Sequence, residues 1–243
     1  MTTSNSPLTQ GAVGAPDDTR NMPSVRLVAA SVPQIPEAGT TAEEFIAYAA
    51  RVSNPTNQSN HETGARLMAY LRRNQHWSPF EMVSATLEIV TTRDIARQML
   101  RHRSFSFQEF SQRYSSEIEF AEPREARLQD PKNRQNSIEI TGTSFIDEGN
   151  RLWWQYAQDE VRERAQELYA DAIGLGIAKE VARAILPEGL TVSRLYMAGT
   201  FRSWLHYVEL RGGNGTQKEH RLIADQCRAV LASEFPTVFG GAS

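Results

Sequence analysis

Residues 83–89 alternate strictly between apolar and polar side chains, and this pattern constrains the fold more than any other in the chain. The alternating positions are Val83, Ser84, Ala85, Thr86, Leu87, Glu88 and Ile89. Alternation with a period of two is typical of a β-strand that has one face in the core and the other towards solvent. The segment therefore predicts a half-buried strand, and helical patterns precede and follow it.

Helical periodicity dominates the rest of the chain. Thr41 precedes a periodic apolar segment and Glu44 lies three residues further on, which is the capping box of a helix that begins there. Further helices are predicted over residues 61–73, 91–103, 145–174, 179–186, 200–210 and 217–234, and further strands over residues 26–31 and 189–198. Between them, residues 104–117 predict a structured loop and residues 123–143 a surface excursion. The pattern is that of one mixed domain with more helix than strand.

The composition excludes several classes of protein. The formal net charge is only −3, whereas non-specific nucleic-acid binders usually carry a large positive excess, so no nucleic-acid partner is expected. Mean hydropathy is −0.48 and no segment approaches twenty apolar residues, so no membrane span is expected.

The first residues differ in character from the rest of the chain. Residues 1–22 are polar, aperiodic and rich in Gly, Pro and Ser, and they predict a flexible N-terminal tail ahead of a folded domain over residues 23–243. The tail contains no apolar signal-peptide core, so the cytoplasm is the expected compartment.

Cys227 is the only cysteine in the sequence. A single thiol excludes an intramolecular disulfide and any metal site built from several cysteines, and no metal is expected. Because its neighbours on the last predicted helix are apolar, Cys227 is interpreted as a small buried hydrophobe and not as a nucleophile.

Arginine accounts for 23 of the 26 basic residues, because lysine occurs only at positions 132, 179 and 218. Codon bias would explain this skew without function, but arginine is also the residue that binds phosphate and carboxylate through two parallel hydrogen bonds. Arg101, His102 and Arg103 stand together where a helix is predicted to end. Such a group suits phosphates, and it also stabilises a helix dipole, so composition alone leaves both interpretations open.

The whole segment around these residues resembles a family signature. Arg101, His102 and Arg103 are followed, after seven residues, by Ser111, which is the hallmark of flavin-dependent thymidylate synthases. The longer form of the signature is RHRxxSxNExSxRY, and its remaining matches here are Ser106, Glu109, Arg113 and Tyr114. Gln108 stands where Asn is usual, which keeps the amide and adds one methylene. A match of this length with fixed spacing is highly specific.

The resemblance extends over residues 49–239. Segments similar to other elements of the family are AARVS (49–53), NQHWSPFEM (74–82), KEVARAILPEGL (179–190), FRSWLHYVELR (201–211) and the later pair Gln217 and Glu219. The resemblance implies an α/β (α+β) fold, a single domain with a central, mainly antiparallel sheet flanked by helices. It also implies a homotetramer whose active sites form where subunits meet.

The resemblance also implies roles for individual residues. The family's FAD contacts fall on His76, Ser78, Arg101, His102, Arg103, Glu109, Thr200, Phe201, Arg202 and His206. Its dUMP contacts fall on Gln98, Arg101, Glu109, Phe110, Ser111, Gln112, Arg113, Arg183 and Arg211. Arg211 is the expected catalytic residue, because it corresponds to the side chain that holds the pyrimidine ring and favours its N3-ionised form. An arginine keeps its charge in such a site and stabilises a developing anion.

The implied reaction makes dTMP from dUMP, with methylenetetrahydrofolate as one-carbon donor and NADPH as reductant. In the family, reduced flavin mediates methylene transfer and supplies the hydride, so no enzyme nucleophile is needed. Ser111 is accordingly interpreted as a positioning hydroxyl. His102 is expected to be neutral, because the neighbouring arginines disfavour its protonation.

Several features depart from the family pattern or keep alternatives open. Thr200 stands where many relatives have Asn, and His206 where others have Asn or His. The departures at Gln108 and Thr200 leave room for a different flavoenzyme or phosphate-ester enzyme on the same scaffold. Arg101, His102 and Arg103 leave room for a non-catalytic nucleotide- or RNA-binding module. His61 and His220 are predicted to be surface histidines, and the Trp153/Trp154 pair to lie in the core or an interface.

Overall fold

The computed structural model describes residues 23–240. The predicted tail, residues 1–22, and the last three residues lie outside the described part. None of the helices within residues 23–240 is long and apolar enough to cross a membrane.

A four-stranded antiparallel sheet lies at the centre of the described chain. Residues 23–240 contain six strands: β1 (Ser24–Ala30), β2 (Ser84–Thr92), β3 (Phe105–Glu109), β4 (Arg127–Gln129), β5 (Ser137–Glu139) and β6 (Val192–Thr200). The central sheet has the order β1-β2-β6-β3, and β4 and β5 form a separate hairpin. All three pairs of the central sheet are antiparallel, as the family resemblance implied.

Eight α-helices accompany the strands in the described residues. They are α1 (Ala42–Ala50), α2 (Gly64–Arg73), α3 (Arg93–Met99), α4 (Phe145–Gly174), α5 (Lys179–Ala182), α6 (Phe201–Gly212), α7 (Lys218–Glu234) and α8 (Pro236–Phe239). A short 3-10 helix, Ser78–Glu81, precedes β2. The 30-residue helix α4 has the predicted bounds, and the predicted capping box is present because Thr41 and Glu44 exchange side chain-to-backbone hydrogen bonds of 3.1 Å.

One face of the sheet forms the core. Leu87 and Met197 are fully buried there together with Trp204 of α6 and Ile223 of α7. Cys227 is fully buried in the same core, which confirms its interpretation as a small hydrophobe. Burial also raises the pKa of its thiol, which keeps it protonated.

The opposite face of β2 corrects the prediction of a simple half-buried strand. Glu88 was expected to face solvent, yet it is only 6% exposed. Arg26 of β1 lies beside it and donates two hydrogen bonds to its carboxylate, at 2.8 and 3.0 Å. These hydrogen bonds hold the pKa of Glu88 below its usual range, and the ion pair lets a carboxylate occupy a covered position of the sheet.

Residues 104–117 were predicted to be a loop, and this is wrong for their first part. Phe105 and Phe107 alternate with polar residues and pair with β6 as the edge strand β3. The alternation covers only five residues, too few to stand out from the irregular segment that follows.

In residues 123–143 the predicted excursion contains the small hairpin β4-β5, with mostly exposed side chains. Trp153 is 66% exposed, so the core alternative for the tryptophan pair is wrong.

Arg101, His102 and Arg103 form what we call the RHR segment. A close contact between β3 and β6 positions the strand that follows this segment. Phe105 lies opposite Gly199 in the register, and a Cβ atom at Gly199 would overlap the Phe105 ring. The same ring packs against Trp204, at a centroid distance of 4.8 Å, and against Tyr207, at 5.9 Å. Glycine at position 199 therefore allows β3 to lie against the aromatic side chains of α6.

Gly199→Ala is expected to lower the free energy of unfolding by about 1–3 kcal/mol, because the new methyl group must displace the Phe105 ring. Denaturant unfolding measures the change. Gly189→Ala is the matched control, because no atom lies within 4 Å of a Cβ built there. A Gly199→Ala protein as stable as the control would contradict the proposed role of this contact.

Candidate active site

His102 and Arg211 form the centre of the site. His102 follows α3 and Arg211 lies in the last turn of α6. The Arg211 Nε–H donates to Nε2 of His102 at 2.8 Å. Burial, followed by the positive charge of Arg211, lowers the pKa of His102 and favours the neutral ring; the adjacent Arg101 and Arg103, which were expected to cause this, are not its source. Because Nε2 accepts a hydrogen bond, the proton of the neutral ring lies on Nδ1.

His220 was predicted to lie at the surface, and this is wrong. It is fully buried on α7, with Nε2 3.1 Å from the Tyr207 hydroxyl and Nδ1 3.3 Å from Oε1 of Gln98. The Nε2 amide group of Gln98 donates in turn to Oε1 of Gln217 at 2.8 Å. We call this group the His102 cluster; its members are Gln98, His102, Tyr207, Arg211, Gln217 and His220.

Sequence reasoning missed Tyr207 and His220. Tyr207 lies one helical turn before Arg211, and this i, i+4 spacing places the two on one side of α6. The spacing was a usable signal for Tyr207, but His220 meets the cluster only through tertiary packing of α7. His61, the other histidine expected at the surface, is half-buried, and its buried Nδ1 has no partner within residues 23–240.

A second group of predicted residues lies at the other end of α6 and before β2. The rings of His206 and Trp77 pack edge to face at 4.9 Å, and Arg202 pairs with Glu81 of the 3-10 helix. His76 and Ser78 are exposed beside them. This group is the His206 cluster; its members are His76, Trp77, Ser78, Glu81, Arg202 and His206.

Two residues predicted to bind flavin at the start of α6 have structural contacts. The Thr200 hydroxyl caps the helix by accepting the Ser203 N–H at 3.3 Å. Phe201 is fully buried and packs against Phe235 and Phe239, at centroid distances of 4.7 and 5.3 Å. The side chain of Phe201 therefore belongs to the core, and only its backbone is available to a ligand.

The remaining predicted residues lie beyond the far end of β3. Arg113 is 3.6 Å from the Glu180 carboxylate, and Arg183 donates to the backbone carbonyl of Glu180 at 3.3 Å. Ser111 accepts the Arg113 N–H at 3.3 Å. We call Ser111, Arg113, Glu180 and Arg183 the Arg113 cluster. Among the neighbouring predicted residues, Glu109 accepts a 2.7 Å hydrogen bond from Ser193, Phe110 is 40% exposed and Gln112 is buried.

The structure does not bring all the predicted dUMP contacts together in one chain. The five residues of β3 separate the His102 cluster from the Arg113 cluster, and at about 3.3 Å per residue they span roughly 13 Å. Within residues 23–240, no hydrogen bond or ion pair joins the two clusters directly.

The charges of the site suit anions. Arg101 and Arg103 are exposed, and in the described part of the chain neither forms an ion pair. Arg211 uses only its Nε–H on His102, which leaves its terminal nitrogens for a ligand. Residues 23–240 contain no group of three or more His, Cys, Asp or Glu side chains that could hold a metal ion.

Comparison with known proteins identifies relatives over most of the chain. Residues 37–237 match the family model described as "Thymidylate synthase complementing protein". A "Probable flavin-dependent thymidylate synthase" of Paramecium bursaria Chlorella virus 1 is 49% identical over 215 residues, which are 88% of this chain and 96% of that protein. A "Flavin-dependent thymidylate synthase" of Synechocystis sp. is 50% identical over 216 residues, with the same coverage of both chains.

A solved structure is similar in fold. The UMP/dUMP methylase PolB from Streptomyces cacaoi, bound with 5-Br dUMP, superimposes with a TM-score of 0.72 at 27% identity. The match covers 91% of this chain and 94% of that one.

The buried His220 makes stability depend on pH. Burial, then the positive charge of Arg211, lowers its pKa from 6.5 to about 3. Because the unfolded chain takes up this proton near pH 6.5, the contribution to stability is complete above that pH and is lost as the pH falls towards 3. Between pH 7 and 5, the wild-type protein should lose about 2 kcal/mol more free energy of unfolding than His220→Asn. Denaturant titrations at both pH values measure the difference, and parallel losses in the two proteins would refute it.

Proposed function

Because this chain belongs to the flavin-dependent thymidylate synthase family, we propose that it makes dTMP from dUMP with FAD as cofactor, methylenetetrahydrofolate as one-carbon donor and NADPH as reductant. It is a flavin-dependent methyltransferase that acts on dUMP. The identities of the flavin, the one-carbon donor and the reductant are the proposed part.

The observation that carries the proposal is the hydrogen bond from Arg211 to His102. It directs the guanidinium towards the RHR segment while its terminal nitrogens stay available. A fixed cation beside a pyrimidine stabilises negative charge that develops on the ring, and a preorganised group does so without reorganising during the reaction. We assign Arg211 to the pyrimidine of dUMP, where it favours the N3-ionised and more nucleophilic ring.

The side chains near the RHR segment suit a flavin with a diphosphate. Arg101 and Arg103 offer exposed cations for the phosphates, and the neutral His102 offers an Nδ1–H. The His206 cluster adds an aromatic surface and the cation of Arg202. A phosphate of the ligand would replace Glu81 as the partner of Arg202. When bound, the flavin supplies the redox chemistry, and the protein contributes binding, orientation and electrostatics.

The Arg113 cluster suits the phosphate of dUMP. Arg113 and Arg183 both lie beside Glu180, and Ser111 adds a hydroxyl. Support for a uridine nucleotide comes from the similar PolB structure, which is a UMP/dUMP methylase bound with 5-Br dUMP. No thiol competes for the nucleophilic role, because Cys227 is buried in the core and its pKa is raised.

We further propose a homotetramer in which subunits share active sites. The His102 and Arg113 clusters lie at opposite ends of β3, and a second subunit that supplies the complementary cluster would complete each site. Helix α4 supports assembly, because it exposes large apolar side chains that monomeric proteins rarely leave uncovered. These are Phe145, Ile146, Leu152, Trp153 and Tyr156.

Purified protein should bind FAD with a visible flavin absorption band, and its NADPH oxidation should depend on dUMP. Arg211→Ala should retain FAD but lose dTMP formation by about 100-fold or more, because the stabilising cation is absent. Arg73→Ala, at the exposed end of α2, is the control and should keep full activity. A colourless protein that takes up no FAD would refute the cofactor, and NADPH oxidation that ignores dUMP would favour a different flavoenzyme.

Shared sites predict complementation between inactive variants. Arg211→Ala and Arg113→Ala should each be inactive alone. After the two are mixed and allowed to exchange subunits, dTMP formation should partly return, because some sites then combine an intact Arg211 with an intact Arg113 from the other subunit. Mixing either variant with itself is the control. A mixture that stays inactive although mixed oligomers form would place each site within a single chain.

A further inference from the structure

A continuous chain of hydrogen bonds crosses the His102 cluster. It begins at Glu219, whose Oε2 accepts from the Gln217 amide at 2.9 Å. Oε1 of Gln217 accepts from Gln98 at 2.8 Å, and Oε1 of Gln98 lies 3.3 Å from Nδ1 of His220. The chain ends where Nε2 of His220 lies 3.1 Å from the Tyr207 hydroxyl.

Glu219 determines the direction of every bond in this chain. Burial opposes its ionisation, but hydrogen bonds from its own backbone N–H and from Gln217, with the charge of Arg127, hold its pKa below the ordinary value. An ionised carboxylate only accepts, so Gln217 must turn its amide nitrogen to Glu219 and its oxygen to Gln98.

The same donor–acceptor constraint extends from Gln217 through Gln98 to His220. Gln98 must donate its amide nitrogen to Gln217, which leaves its oxygen facing His220. An oxygen acceptor requires a proton on Nδ1 of His220. In the neutral ring Nε2 is then an acceptor, and Tyr207 supplies the hydrogen bond. Each donor in the chain therefore meets an acceptor.

From this chain we infer that His220 is a positioning residue: Gln217 sets the direction of the Gln98 amide, and the second hydrogen bond, to His220, holds that amide in place against dUMP. The inference rests on the proposed function, which makes Gln98 a dUMP contact. With one N–H given to Gln217 and one lone pair given to His220, Gln98 retains one N–H and one lone pair for the nucleotide. Their positions cannot interchange, because a flipped amide would oppose acceptor to acceptor and donor to donor.

The burial of His220 supports this role over simple packing. An apolar side chain would fill a fully buried position on α7 without the cost of desolvating two ring nitrogens. Both nitrogens instead have partners, and each partner reaches the site. One is Gln98, and the other is Tyr207, whose ring packs edge to face on His102 at 5.0 Å. The imidazole thus joins the predicted nucleotide contact to the aromatic support of the RHR segment.

The test compares two replacements of His220 in the full-length protein loaded with FAD. His220→Leu removes both ring nitrogens, and His220→Asn keeps an amide N–H close to the position of Nδ1. We expect His220→Leu to weaken dUMP binding, measured by calorimetry, by about 5- to 10-fold, and His220→Asn to restore it to within about 3-fold. Cys227→Ala, on the same buried side of α7, is the packing control and should leave dUMP affinity unchanged.

A double-mutant cycle with Gln98→Ala separates positioning from general destabilisation. If His220 acts through Gln98, then His220→Leu should change dUMP affinity by less than about 2-fold when Gln98 is already alanine. An equal loss in both backgrounds, or no loss in either, would overturn the positioning role. If Gln98→Ala alone leaves dUMP affinity unchanged, the dUMP contact assigned in the proposed function is itself wrong, and the inference fails with it.

Discussion

The hydrogen bond between Arg211 and His102 is the interaction on which the rest of the site depends. It joins the last turn of α6 to the segment after α3, so two distant parts of the chain share one geometry. It also restricts the conformations of both side chains. The guanidinium is aimed by its Nε–H. Burial and the charge of Arg211 favour the neutral imidazole, whose Nε2 accepts this hydrogen bond and whose proton therefore lies on Nδ1.

This interaction requires that β3 begin close to α6, and the packing around Gly199 meets that requirement. The Phe105 ring occupies the space that a Cβ atom of residue 199 would fill, and it packs against Trp204 and Tyr207. Tyr207 then contacts His102 with its ring and His220 with its hydroxyl. A single glycine in β6 thereby allows the core and the candidate active site to share the same aromatic side chains.

Periodic patterns predicted the elements that bury only one face. They failed where tertiary contacts determine the structure of a segment or the burial of a residue. The helix over 145–174 and the capping box at Thr41 follow from local rules, and both are present. Strand β3 has only five alternating residues, so its pairing with β6 decides its structure. His220 shows the same limit for the site, because a polar residue on a helix is expected at the surface until its buried partners are known.

The distribution of charge explains how a chain with a net charge of −3 can offer cationic sites to the phosphates of the proposed ligands. Some of its site arginines already have carboxylate partners, such as Arg113 with Glu180 and Arg202 with Glu81. A phosphate that binds there must compete with the carboxylate, and these exposed pairs contribute little stability, so the exchange costs little. Arg101 and Arg103 have no such partner within residues 23–240 and offer their full charge. Selective pairing therefore concentrates positive potential at the RHR segment while the protein as a whole stays close to neutral.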